Sequence, residues 1–428
     1  MKLFKEIQKF TLPLIANNLV QILINQLILI FAINQSVENL AGISTIQSLL
    51  YSFGGILGVV ALAFNIEGGQ ALGKNLNVKF LKLVKSSFIL NGLIGLGFGF
   101  GVIGLGEVFL NLVYHFQGSM LLTSTGYLLV QSPYIFLTLM LFLSSNLIKI
   151  QNKTKWILWI SLFSTGMELL LNIVLVKVLH FGIVGASFSS VFSLFVMVFL
   201  QFLVVKNQMI SAFRVSASEI KNLIKKSFPL LGQELLEGVI FTIVIEALIS
   251  RLGVTILAVY AFGIQMLNIA KTPVYMYENA VTVFVSKSYG AKNLSKSRKI
   301  IYISLSSSIL FYCILSILIF INRVTIANWF SLSKGQDLSG MLLLMLSCSF
   351  FFVFYEILKA SLQAISQEKF VLKWTFIINL ILFLVMILFA NMGQYNFEML
   401  YLLYALSMII LTIMMGIKFK SRMVLENK

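Results

Sequence analysis

Residues Phe228 to Phe241 read FPLLGQELLEGVIF, two glutamates set in a run that is otherwise apolar. A charged side chain near the middle of a bilayer costs roughly 2.5–3.5 kcal/mol on insertion scales, so it faces a water-filled cavity or a partner. The three-residue spacing of Glu234 and Glu237 places both on one face of a helix. Two readings stand at this point. In one the pair is a cation or proton site; in the other Glu234 lies near the headgroups and Glu237 is a protonated or paired residue that fixes helix packing.

The flanking sequence makes the membrane setting firm. Of 428 residues, 59% are hydrophobic and 11% charged, with a mean hydropathy of +0.97. Nearly every stretch between basic clusters is long and apolar enough to span a bilayer, the composition of a polytopic membrane protein. The first apolar segment, beginning near Phe10, is too long for a signal peptide and lacks a small-residue cleavage site, so a retained helix is expected. The net charge of +17 arises from Lys and Arg residues of which 27 of 32 fall in alternate loops, the group from Lys359 to Lys373 among them. The positive-inside rule makes that side cytoplasmic, and an anionic membrane surface accounts for the basic balance without nucleic acid. Lys177, Arg251, Lys271, Arg323 and Lys334 are the exceptions. Cys313 and Cys348 both lie in apolar runs and read as small buried hydrophobes. His115 and His180 fall at the ends of spans on the less basic side, with no second ligand nearby to suggest a metal.

Cutting the chain at its basic clusters predicts about twelve spans: 10–33, 44–66, 87–108, 121–147, 156–178, 183–205, 228–250, 255–285, 300–322, 340–365, 371–391 and 397–417. An even number leaves both termini in the cytoplasm. The expected organisation is a bundle over 1–206, a cytoplasmic linker over 207–227 and a second bundle over 228–428. The linker contains SASEIKNLIKKSF, with Ser216 as a candidate cap, Glu219 three residues on, and Ile220, Leu223 and Ile224 at helical spacing. That pattern predicts a short amphipathic helix on the inner leaflet.

The two halves repeat. Pro13 in FTLPLIANNLVQ corresponds to Pro229 in KSFPLLGQELLE, and Gly73 in QALGKN to Gly290 in KSYGAKN. NLAGISTIQ resembles TILAVYAFGIQ between those anchors, and NLIKIQNKTK matches SLQAISQEK further on. Duplicated six-span halves of one polarity imply a pseudo-two-fold axis along the membrane normal and a substrate cavity between halves, an arrangement of carriers.

With these residues in view, the chain resembles the multidrug and toxic compound extrusion (MATE) family, within the superfamily that also holds lipid-linked oligosaccharide flippases. The likeness rests on the early prolines of spans one and seven, the GKN and GAKN stretches, and LLLNIVLVKVLHFGIVGAS from Leu169 to Ser187. It implies an all-α integral membrane protein of two pseudo-symmetric six-helix bundles. Counting eight residues from Pro229 reaches Glu237, where the resemblance places the family's seventh-span transport glutamate. The first-span acid of bacterial members would fall at Ile28, so that acid is absent here. The tenth-span acid of some relatives would fall near Phe352, one turn from Glu356.

No metalloprotease, thiol, serine-hydrolase or phosphate-loop motif occurs, so no enzyme is indicated and an ion gradient must drive pumping. Fifteen acids include one Asp, Asp337. Glu237 is the first candidate for ion coupling, with Glu234, Glu278 and Glu356 beside it. Lys271 and Glu278, seven residues apart on one face with Pro273 between, suggest either a displaceable partner for Glu237 or Glu278 or a static pair. Gln233, Tyr260, Tyr275, Glu168 and Asn172 complete the candidate cavity and substrate residues, the ring faces being suited to an organic cation. Glu246 is expected near the outer interface or packed against a neighbour, and Glu67 at the lower gate or in helix packing. Pro133 and Pro273 are candidate kinks, and Gly92 to Glu107 allows close packing.

The expectation is a multi-pass plasma-membrane antiporter, functional as a monomer. It exports amphiphilic, cationic small molecules in exchange for H+ or Na+, with Na+ binding possible at Glu237 and no cofactor or resident metal. The alternative is a flippase for a lipid-linked oligosaccharide or lipid, whose cavity should be cationic.

Overall fold

The computed structural model describes residues 2–32, 37–329, 338–393 and 396–425. Lys334 and Asp337 lie outside these residues, as does the side chain of Ile28. The described residues form helices and no strand, as expected where lipid cannot satisfy backbone groups and each segment must bond internally.

Twelve long helices run in chain order. These are α1 (Lys2–Ala32), α2 (37–73), α3 (Asn77–Tyr114), α4 (Gly118–Ile150), α5 (Thr154–Val178) and α6 (Gly182–Val204). After a short helix, Lys206–Phe213, come α7 (Ile220–Ser250), α8 (Val254–Gly290), α9 (Leu294–Ile321), α10 (338–364), α11 (Glu368–Asn391) and α12 (Phe397–Leu425). Among the described residues ten helices are long and apolar enough to cross a membrane. With α1 and the Lys271- and Glu278-bearing α8 the set of twelve is complete. Several helices outrun the apolar stretches that announce them, α3 by ten residues at the end carrying Lys79, Lys82 and Lys85. Hydrophobicity marks the bilayer and not the end of the helix, because basic turns remain helical beyond the hydrocarbon.

The repeated segments share backbone as well as sequence. Asn75 and Lys292, in the turns after α2 and α8, both adopt left-handed φ of 57° and 56°. Asn152 and Ser366, after α4 and α10, do the same at 57° and 61°. His115 and His180 follow α3 and α5 with φ of 54°. At Pro133 the helix is interrupted by a turn over residues 131–133, whereas α8 runs unbroken through Pro273. Gly58 divides α2, where its neighbour Phe142 would stand 2.7 Å from a β-carbon.

The capping expectation at Ser216 does not hold. α7 begins at Ile220, and the Glu219 carbonyl accepts from the Leu223 N–H at 2.9 Å. A tertiary contact takes the place of the local cap. Ser86 Oγ accepts from the Glu219 N–H at 3.2 Å, and Lys85 Nζ donates to the Phe213 and Val215 carbonyls at 3.3 and 2.8 Å. The amphipathic turns are thus the beginning of α7 itself, continuous through Pro229 into the apolar part.

Packing divides the chain into two compact units. One comprises residues 12–71 and 76–231. Its core gathers Ile46, Leu50, Leu110, Tyr127, Ile135, Leu139 and Ile183, and Tyr127 OH accepts from Gln47 and Gln131 at 3.1 and 3.3 Å. Glu67, 8% exposed, pairs there with Lys226 at 3.5 Å. The other unit comprises residues 1–11, 72–75 and 232–428. Within it α8 packs on α9 and α10, and the start of α1 joins them through Gln8, which donates to Ser307 at 2.8 Å and accepts from Tyr277.

Candidate functional site

The organising feature of the C-terminal unit lies where α7 changes its winding. From Leu235 to Ile240 the backbone forms a π-helical segment, and Glu237 is its third residue. Such wide turns recur at functional sites because they redirect a side chain and loosen the main-chain ladder. Gln233, one turn earlier, donates through Nε2 to Glu237 Oε1. The side chain that meets Glu237 along the helix is therefore Gln233, while Glu234 acts on Glu237 and Glu356 through charge alone in the interactions described.

Three further helices converge on this point. From α10, Tyr355 OH donates to Glu237 Oε1. From α11, the buried Thr375 hydroxyl lies 3.0 Å from Tyr355 OH and accepts from Gln233 at 3.1 Å. One turn along α10 from Tyr355, Lys359 Nζ lies 3.0 Å from Glu237 Oε2 and 2.6 Å from Glu356 Oε1. From α8, the Glu278 carboxyl comes close to that of Glu356. Four carboxyl groups thus surround one ammonium group that touches two of them.

Access is unequal across this cluster. The Glu237 side chain keeps 26% of its surface exposed, against 8% for Lys359 and 3% for Glu356. Of the three ion-paired side chains Glu237 is therefore the most accessible, and Glu234 and Glu278 are also only partly buried. Its two oxygens also differ. Oε1 accepts from Gln233 and Tyr355, while Oε2 is held by Lys359.

Two expectations for this region need correction. Lys271 forms no ion pair with Glu237 or Glu278 among the described residues. Its ammonium lies 4.4 Å from the Phe352 ring centroid and 5.9 Å from that of Tyr404. Aromatic faces supply the close contacts that a carboxylate was expected to give, and Glu356 acts on Lys271 through charge without an ion pair. The second correction concerns Lys359 itself, which belongs inside the bundle and not with the cytoplasmic basic groups. Sequence reasoning missed it together with Tyr355 and Thr375. The available signal was FYEILKASLQ, in which Glu356 and Lys359 stand three apart within an apolar run, the spacing that lets a helical ion pair form.

The remaining candidates are placed as follows. Tyr275 packs edge-on against Phe352 at 5.7 Å, and Tyr260, buried, against Tyr401 at 6.3 Å. Glu246 is exposed. Glu168 and Asn172 belong to the N-terminal unit, where Asn172 Nδ2 donates to the Glu168 carbonyl at 3.0 Å and the Glu168 carboxyl bonds Ser190. Both cysteines are free thiols.

Duplicated sets of membrane-length helices with a buried charged cluster define an integral membrane transporter. The sequence model of the MatE family matches the chain twice, over residues 13–174 and 229–390. The chain belongs to that family; it is a transporter and not an enzyme. The matches are of equal length and begin at Pro13 and Pro229, the anchors of the repeat. Among solved structures, one described as the outward-facing conformation of a multidrug resistance MATE family transporter of the MOP superfamily aligns with a TM-score of 0.88 and 16% identity, covering 100% of this chain and 97% of that one. A MATE in the bent conformation gives 0.87 at 15% identity, with 100% and 98% covered. A MOP superfamily transporter from Pyrococcus furiosus, whose binding pocket is described as reversed in polarity and suggestive of a different function, gives 0.85 at 15%, with 100% and 97% covered. These likenesses establish the fold of two six-helix bundles. The comparison with curated protein sequences gave no match.

Proposed function

We propose that this transporter is an antiporter that exports amphiphilic organic cations in exchange for H+ or Na+, with Glu237 as the coupling carboxylate. The observation that carries this reading is the partly exposed Glu237 carboxylate in the π-helical segment of α7, held on one oxygen by Gln233 and Tyr355 and on the other by an ammonium group. A carboxylate at bilayer depth keeps its charge only when a cation neutralises it, so cation occupancy and local structure are linked. Glu234, Glu278 and Glu356 tune that charge. Lys271, Tyr260 and Tyr275 line the route of the substrate in this bundle, and Glu168 and Asn172 do so in the other. The two bundles act as the moving halves, in a monomer of the plasma membrane with both termini cytoplasmic.

Four carboxyl groups against the ammonium groups of Lys271 and Lys359 favour a cationic cargo over the pyrophosphate of a lipid-linked sugar. The test is ethidium movement in inverted membrane vesicles under imposed gradients. Uphill accumulation of ethidium should follow an imposed pH or Na+ gradient and stop when that gradient is collapsed. Accumulation indifferent to both gradients would overturn the antiport reading.

A further inference from the structure

Resting on the reading of Glu237 above, we propose that Lys359 is a tethered counter-cation with which the coupling ion competes. It occupies Glu237 Oε2 when no ion is bound and withdraws onto Glu356 when one is.

The geometry leaves an arriving cation little choice. Glu237 Oε1 already accepts from Gln233 and Tyr355, and one lone pair of Oε2 is held by Lys359 at 3.0 Å. An ion that settles on the remaining lone pair of Oε2 lies beside the ammonium group, and the repulsion of two like charges at that range drives the lysine off. The lysine has somewhere to go. Glu356 Oε1 already lies 2.6 Å from Nζ, so the ammonium keeps a carboxylate partner when it leaves Glu237. A buried ammonium deprived of every partner would cost several kcal/mol, and a second carboxylate within reach removes that cost. The two acceptors also differ in access as a competitive site requires, Glu237 being at the exposed side of the ammonium and Glu356 at the closed side.

The exchange balances. When the ion is a proton, it arrives from water and bonds to Glu237 Oε2. The Nζ–H···Oε2 hydrogen bond breaks, Lys359 keeps its three protons, and the cluster gains the single positive charge that entered. Sodium would do the same through an ionic contact. The groups that act on Lys359 and on the Glu356 it withdraws to are Glu234 and Glu237 from α7, Lys271, Tyr275 and Glu278 from α8, Tyr355 and Glu356 from α10 and Tyr404 from α12. From α11 the neighbour is Thr375, which does not titrate.

Competition predicts shifts of opposite sign. Ethidium efflux from vesicles containing the full-length protein is measured over a series of pH values and, separately, of Na+ concentrations. Lys359→Met should lower the ion concentration for half-maximal efflux by about tenfold or more, since one unit of pH corresponds to 1.36 kcal/mol of differential interaction. Glu356→Gln confines the lysine to Glu237 and should raise that concentration several-fold, while Lys359→Arg should stay near wild type. Equal midpoints in Lys359→Met and wild type, or shifts of the same sign in Lys359→Met and Glu356→Gln, would overturn the proposal. Should Lys359→Met not yield a monodisperse protein, Glu356→Gln alone decides, and an unmoved midpoint counts against competition. Glu237→Gln in parallel separates the two readings. If it stays coupled, the assignment of Glu237 fails. If it uncouples while the other midpoints do not move, the competition alone fails.

Discussion

Glu237→Gln should yield a folded transporter that has lost its drive. The amide is close in size to the carboxyl, and its oxygen can still accept from Gln233 and Tyr355, so the packing of α7 against α10 and α11 should survive. What disappears is the charge. Lys359 then rests on Glu356 whether or not an ion is present, and no group in the cluster favours one direction of opening when an ion binds. A ligand shifts a conformational equilibrium only by its differential affinity for the two states. Gradient-driven efflux of ethidium should therefore fall more than about tenfold, toward the passive rate, while the protein remains monodisperse in detergent. Full gradient-driven efflux by the variant would remove Glu237 from the coupling mechanism.

Gly73→Ala should have the largest effect on stability. A β-carbon at Gly73 would stand 2.0 Å from the Lys287 carbonyl oxygen and 3.0 Å from the Gly290 Cα. Residues 72–75 pack in the C-terminal unit, so the two repeat-related glycines meet there face to face. Both obstructing atoms are backbone and cannot swing aside. Overpacking of this kind costs typically 1–3 kcal/mol and occasionally more. We expect the thermal midpoint of the purified protein, followed by size-exclusion chromatography after heating, to fall by about 1–4 °C. Gly97→Ala is the control. No atom lies within 4 Å of a β-carbon there, and the gain in helix propensity should leave the midpoint level or slightly raised. Equal midpoints for the two variants would refute the close approach at Gly73.

Much of the architecture was legible because the bilayer imposes a single rule, long apolar helices separated by basic turns, and the sequence obeys it. The repeat was legible from Pro13 and Pro229 and from the GKN and GAKN turns. The structure adds matched left-handed residues at Asn75 and Lys292 that identity alone does not reveal. The site was harder. Glu237 stood out because a carboxylate in an apolar run has few innocent explanations. Its partners did not, since Tyr355 and Thr375 look like ordinary span residues and the contact with Glu237 joins positions more than a hundred residues apart. Lys359 was misplaced by the rule that served so well elsewhere. Counting lysines by loop treats each as a marker of the cytoplasm, and a lysine that snorkels and one that is buried between two carboxylates look alike in sequence. The cap at Ser216 failed for a similar reason, as Ser86 reached the helix start from another element.

The central claim is that a cation and the exported substrate alternate at a site governed by Glu237. Linkage requires that saturating substrate expel the ion, and reciprocally. Adding ethidium to purified protein in weakly buffered detergent solution, or to protein preloaded with radioactive sodium, measures that expulsion directly. The account predicts release of about one H+ or Na+ per substrate bound by the wild type and none by Glu237→Gln. No release from the wild type at saturating ethidium, or equal release from the variant, would contradict it.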